Sequence, residues 1–103
     1  MNAFSSSKYW GLQVWYSQNN SESQSLADMI QSQNRATLQP DNNRLTKNAG
    51  ESIYLLKMAT CPAVLVECGF LSNVEEAKKF EGYEYRTQVA SVICSSIVSF
   101  LSE

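Results

Sequence analysis

A single carboxylate, Glu67, closes the apolar run Pro62-Ala63-Val64-Leu65-Val66 and is followed at once by Cys68, Gly69 and Phe70. An acid at the end of a strand, with Val66 and Phe70 beside it, is partly desolvated, a setting that suits proton transfer near neutral pH. A Glu at a strand's end also simply reaches water, or accepts from a nearby backbone N–H. Spacing alone leaves both roles open. Arg44, in Asp41-Asn42-Asn43-Arg44, could meet an anionic group or lay its stem over its own loop. Trp10, Trp15 and Tyr16 could stack on sugar rings, but at strand spacing they serve equally as sheet-face or core residues. Asp28, Asp41 and Glu51 share no metal-ligand spacing.

The chemistry that is missing is as informative. The chain has no histidine. An open zinc site needs three protein ligands, most often His, and a Ser or Cys protease needs a His base. Neither reaction runs on these residues alone. Cys61, Cys68 and Cys94 are an odd number without C-x-x-C spacing, and read as buried thiols rather than a disulfide framework or metal site. A net charge of −2 without a Lys/Arg cluster offers nothing to nucleic acid or an anionic membrane. No apolar stretch is long enough to span a bilayer. The opening residues MNAFSSSKYW show neither the basic nor the apolar region of an export signal.

The elements that must position Glu67 follow from periodicity. With 103 residues and 44% apolar content, one folded domain is expected. Residues 11–16 alternate as a strand, and Asn19-Asn20-Ser21 closes it. Ser21, with Gln24 as capping-box partner, opens an amphipathic helix over about 21–36, carried by Leu26, Ala27, Met29 and Ile30 and ending before Pro40. Residues 39–51 form a polar loop. Ile53–Met58 reads as a second strand. Pro62–Val66 reads as a third, a continuous run of the kind buried on both faces of a parallel sheet. Ser72 or Asn73 caps a short helix whose first turn carries Glu75 and Glu76, where they complement the dipole. A last helix over about 84–102 carries the stripe Val89, Ile93, Ile97 and Leu101, with Val92 and Phe100 alongside.

This order predicts an α/β fold with a mixed, largely parallel sheet flanked by helices. Ligand sites in such sheets gather beyond the carboxyl ends of the strands, where Glu67 falls, and Gly69 would let the backbone turn sharply there.

Residues 62–80, PAVLVECGFLSNVEEAKKF, closely resemble the C-terminal signature of the zinc-dependent N-acetylmuramoyl-L-alanine amidases of the Amidase_3 type. In that signature, PAVLVE-x-GF-(L/I)-SN-x-E-E forms a strand, the catalytic Glu and the next helix. YWGLQVWY resembles the family's strand after its third zinc ligand, and YEYRTQVASVICSSIVSFL resembles its closing helix. QPDNNR followed by SIYLLK is similar to the germination-specific spore-cortex branch. The resemblance covers essentially the whole chain but roughly the C-terminal half of the family domain, so the first strands of the family sheet are expected to be missing.

The resemblance implies a peptidoglycan hydrolase that cleaves the amide between N-acetylmuramic acid and the L-alanine of the stem peptide. In it, zinc held by His, Glu and His polarises the carbonyl and activates water, and the strand-end Glu moves the proton. That role falls on Glu67. Asn2 and Ala3 match the end of the segment bearing the third zinc ligand, and the ligand itself would lie one position before Met1. No zinc ligand is therefore expected in this chain, and Asn2 and Arg44 are the candidates for substrate contact.

The resemblance thus makes residues 1–103 the C-terminal portion of an amidase domain beginning at an internal methionine, inactive alone. Its place of action would be the cell wall or spore cortex. Its partners would be peptidoglycan and the missing N-terminal half of the domain, or further copies joined through exposed sheet edges. The competing expectation is a metal-free peptidoglycan-binding or regulatory remnant that keeps a cleft near Asn2, Arg44 and Glu67.

Overall fold

The structure, a computed structural model, describes residues 9–103. Side chains of the first strand, β1 (Gln13–Tyr16), alternate between two environments, as the pleat requires. Leu12 and Val14 are fully buried against Leu26, Ala27 and Ile30 of α1 (Glu22–Thr37) and Val89 of α4 (Tyr83–Leu101). Gln13 and Trp15 point the other way. A short strand β2 (Lys47–Asn48) runs parallel to β1, and β3 (Val64–Glu67) runs antiparallel on its other side, in the order β2-β1-β3. Two short helices, α2 (Tyr54–Met58) and α3 (Val74–Lys79), complete the described elements. The result is the expected α/β arrangement, a mixed sheet flanked by helices.

Several local expectations change. Residues 53–58 are helical rather than extended. Leu55, Leu56, Lys57 and Met58 are good helix formers, and only Leu56 of α2 is buried. Ser17 Oγ fixes this helix to the end of β1 by donating to the Leu56 carbonyl at 2.6 Å. The parallel partner of β1 instead comes from the polar loop. Both residues of β2 are polar and exposed, so they leave no hydrophobic period to read. The Val64–Val66 run is antiparallel to β1 and buries one side. Val64 and Val66 face the core, whereas Leu65 is 41% exposed.

Caps and stripes also differ in detail. Ser21 makes no capping bond with its side chain, and Asn20 Oδ1 accepts from the Glu22 N–H instead, at 2.9 Å. Asn73 caps α3 as expected, accepting from the Glu76 N–H at 3.1 Å. Along α4, Val89 and Val92 are buried and Ile93 and Phe100 pack at the core margin, but Ile97 and Leu101 face outward. Each i+4 step overshoots a full turn by about 40°, so an i+4 row drifts off the buried face and Ser96 takes the next inward position. Cys61 and Cys94 are exposed free thiols rather than buried ones, and Cys68 is partly buried.

On its β2 side, β1 has a strand neighbour only at Trp15 and Tyr16. Ahead of that, side-chain amides complete the ladder. Gln31 accepts from the Val14 N–H at 3.2 Å and donates to the Leu12 carbonyl at 2.9 Å. Gln39 accepts from the Leu12 N–H at 3.1 Å, and Asn42 donates to the Leu12 carbonyl at 3.0 Å. Asn34 and Asn42 both donate in turn to Gln39 Oε1. Buried backbone groups need partners, and here they find them in α1 and the loop behind it.

The outer edge of β3 pairs with no strand among the described residues. Leu65 and Leu71 lie exposed on and beyond it, as do Leu55 and Val74 elsewhere on the surface. An open edge beside exposed apolar side chains favours association. The isolated chain is expected to form dimers or larger species at tens of micromolar in sedimentation velocity. A single monomeric boundary at every concentration would contradict this.

Candidate active site

The non-core face of the sheet gathers the residues that could do chemistry. Gln13 and Glu67 are direct register partners, Trp15 stands two residues from Gln13, and Lys47 pairs with Trp15 from β2. Period 2 therefore delivers Gln13, Trp15, Lys47 and Glu67 to one face. Tyr9, Arg44 and Phe70 close over them, leaving a recess of about 80 Å³.

Within the recess, Trp15 Nε1–H donates to Glu67 Oε1 at 2.5 Å. Oε2 of the same carboxylate makes no hydrogen bond among the described residues. One oxygen is anchored and the other is available to a ligand or water. This is the geometry a proton-transfer carboxylate needs, because an anchored rotamer keeps the reacting oxygen in place.

Arg44 is held on three sides. Its Nε donates to the Trp10 carbonyl at 3.0 Å, its Nη1 donates to Gln13 Oε1 at 3.2 Å, and its guanidinium carbon lies 4.7 Å from the Phe70 ring centroid. Gln13 is itself fixed by donating to the Leu45 carbonyl at 2.8 Å. Lys47 places its ammonium 5.2 Å from the Trp15 ring centroid. Of the sequence candidates, the structure thus brings Glu67 and Arg44 into one recess. Asn2 lies outside the described residues. Trp15 joins the site directly, and Trp10 stands at its margin beside Asn42 and Arg44.

Glu76 is the residue whose position periodicity misses. Only 5% exposed, it turns inward from the first turn of α3. Its Oε2 accepts from the Gly11 N–H and its Oε1 from the Phe70 N–H, each at 2.7 Å. One carboxylate thereby ties the entry of β1 to the turn that follows Glu67. Gly69 is needed for that contact rather than for a turn. It is not among the positive-φ glycines, but a Cβ there would meet Glu76 Cδ at 2.6 Å. Gly11 has a φ of 95°, a conformation glycine alone adopts without strain. Its neighbour Glu75 stays exposed, and nothing in the pair Glu75-Glu76 tells the two acids apart by sequence.

Burial pushes the Cys68 thiol up, and the nearby Glu76 carboxylate adds to the shift. It is a neutral packing group rather than a nucleophile. Burial likewise raises the Tyr85 phenol against the opposing effect of its bond from Gln39. The described residues hold no group of three or more His, Cys, Asp and Glu able to take a metal, and residues 1–8 contain none of these types.

A family model described as N-acetylmuramoyl-L-alanine amidase, Amidase_3, matches residues 1–99. This chain belongs to the Amidase_3 family. Among its amidase relatives, the germination-specific N-acetylmuramoyl-L-alanine amidase of Bacillus subtilis (strain 168) is 34% identical over 103 residues, 100% of this chain and 43% of the relative. The CwlD amidase of Clostridioides difficile, solved in complex with the GerS lipoprotein, superposes with a TM-score of 0.93 at 39% identity, over 99% of this chain and 51% of that one. An N-acetylmuramoyl-L-alanine amidase from Clostridium difficile 630 gives a TM-score of 0.88 at 27% identity, over 100% of this chain and 55% of that one. The chain therefore spans about half the length of these amidases or less. No described helix is long and apolar enough to cross a membrane.

Proposed function

We propose that residues 1–103 supply the C-terminal portion of a zinc-dependent peptidoglycan amidase, with Glu67 as the general base. The observation that carries this reading is the carboxylate at the end of β3, lining the recess with one oxygen anchored by Trp15 and the other without a hydrogen bond among the described residues, in a chain of the amidase family. In this role Glu67 Oε2 takes the proton of the attacking water and returns it to the nitrogen of the departing L-alanine, breaking its amide with N-acetylmuramic acid. Trp15 holds the carboxylate in place, and Arg44 binds the substrate beside it. Asn2 is proposed as a further substrate contact.

The residues of this chain do not fit a zinc site: it has no histidine and its described residues have no acid or thiol cluster of the required kind. We assign the metal ligands to the part of the family fold that this chain does not span. Action on the cell wall or spore cortex, in sporulation and germination, follows the same reading. A lipoprotein partner is a further candidate, since the CwlD amidase was solved with one.

A second reading, a peptidoglycan-binding remnant without catalysis, draws support from the complete lack of histidine. Release of muropeptides from purified peptidoglycan separates the two. The chain alone, with or without zinc, is expected to release nothing above background. Adding the complementary portion of the family fold with zinc is expected to produce release that EDTA abolishes. Binding without release under the complemented condition would favour the remnant.

A further inference from the structure

The recess beside Glu67 carries more positive charge than the chain around it. Overall the acids outnumber the bases by 10 to 8, yet Arg44 and Lys47 face a single acid there. All ten acidic side chains lie among the described residues. Even so, the one ion pair among the described residues is remote, Lys57 with Glu51 at 3.5 Å, and no carboxylate oxygen comes within 4.0 Å of Arg44 or Lys47. Each cation rests on an aromatic face instead, Arg44 on Phe70 and Lys47 on Trp15. The bonds that orient Arg44 use Nε and Nη1, leaving Nη2 with no acceptor among the described residues.

We propose that Arg44 and Lys47 form a carboxylate subsite that receives an acidic group of the stem peptide next to the amide addressed by Glu67. A guanidinium edge and an ammonium converging on one recess suit a carboxylate. The recess, about 80 Å³, is of a size for that group. The ligand is thus drawn in by its peptide, and Arg44 contributes orientation while Lys47 contributes charge. The identity of the ligand rests on the amidase reading of Glu67; the preference for a carboxylate does not.

Both tryptophans of the chain border this region, so intrinsic fluorescence reports on it. The folded chain is titrated with N-acetylmuramoyl-L-alanyl-D-glutamate and with the same compound carrying both glutamate carboxylates as amides. The dicarboxylate is expected to bind about tenfold more tightly. Lys47→Met, at an exposed position, should erase most of that difference by weakening the dicarboxylate far more than the diamide. Arg44→Lys keeps the charge and loses the fork, and should reduce the preference in part, with circular dichroism establishing that it folds. Equal affinity of the wild-type chain for both compounds overturns the subsite and leaves the role of Glu67 standing. A preference undiminished in both variants also overturns it. Absence of binding by either compound overturns the subsite and the substrate-cleft reading together. Glu67→Gln separates the two claims, because the carboxylate preference should persist in a variant that has lost its base.

Discussion

Glu67→Gln, in the chain complemented with the rest of the amidase fold and zinc, is expected to lower turnover by about 10²–10⁴ with little change in substrate affinity. The geometry makes this substitution informative. A glutamine carbonyl oxygen can still accept from Trp15 Nε1–H, so the side chain stays where Glu67 Oε1 holds it now. What it loses is the ability of the second atom to take a proton. Single-turnover rates of muropeptide release measure the chemical step directly. Near-wild-type turnover would falsify the assignment of Glu67 as base. Trp15→Phe should fall between the two, since it frees the carboxylate to rotate without removing it.

Glu76→Ala is expected to have the largest effect on folding, about 2–5 kcal/mol, because it leaves the Gly11 and Phe70 N–H groups without their acceptor. A small domain holds only some 5–15 kcal/mol in reserve, so the variant should be largely unfolded at modest urea concentrations. Glu75→Ala, one residue away on the exposed side of α3, should stay within about 0.5 kcal/mol of the parent. Gly69→Ala provides the cross-check. In the parent its Cβ collides with the Glu76 carboxyl; with Glu76 truncated, the collision has no second partner. The two substitutions should therefore be strongly non-additive in equilibrium unfolding. Additive costs would mean that Gly69 is constrained by something other than Glu76.

These two acids also mark how far the sequence could be read. The long helices α1 and α4 announce themselves through periodicity, the strand ending at Glu67 through its continuous apolar run, and Asn73 through its place before an acidic first turn. The rest depended on tertiary pairing. β2 is two exposed residues that exist only because β1 lies alongside them, and 53–58 became a helix because Leu, Lys and Met tolerate either state and the end of β1 captures the helical one. In the site, Glu67 was visible from its flanks. Lys47 was hidden in a loop without pattern, and Trp15 looked like any sheet-face aromatic until register placed it opposite β3. Glu76 read as a dipole-complementing surface acid, since no local pattern reveals that its partners are 65 and 6 residues away.

The glutamine and asparagine side chains that line β1 have one more implication. An amide side chain can satisfy a backbone N–H or carbonyl, but it cannot hand the pattern on to another strand, so the ladder stops at Gln31, Gln39 and Asn42. Ahead of β2 that flank of β1 is sealed, and the longer of the sheet's two edges is that of β3, the strand that ends in Glu67.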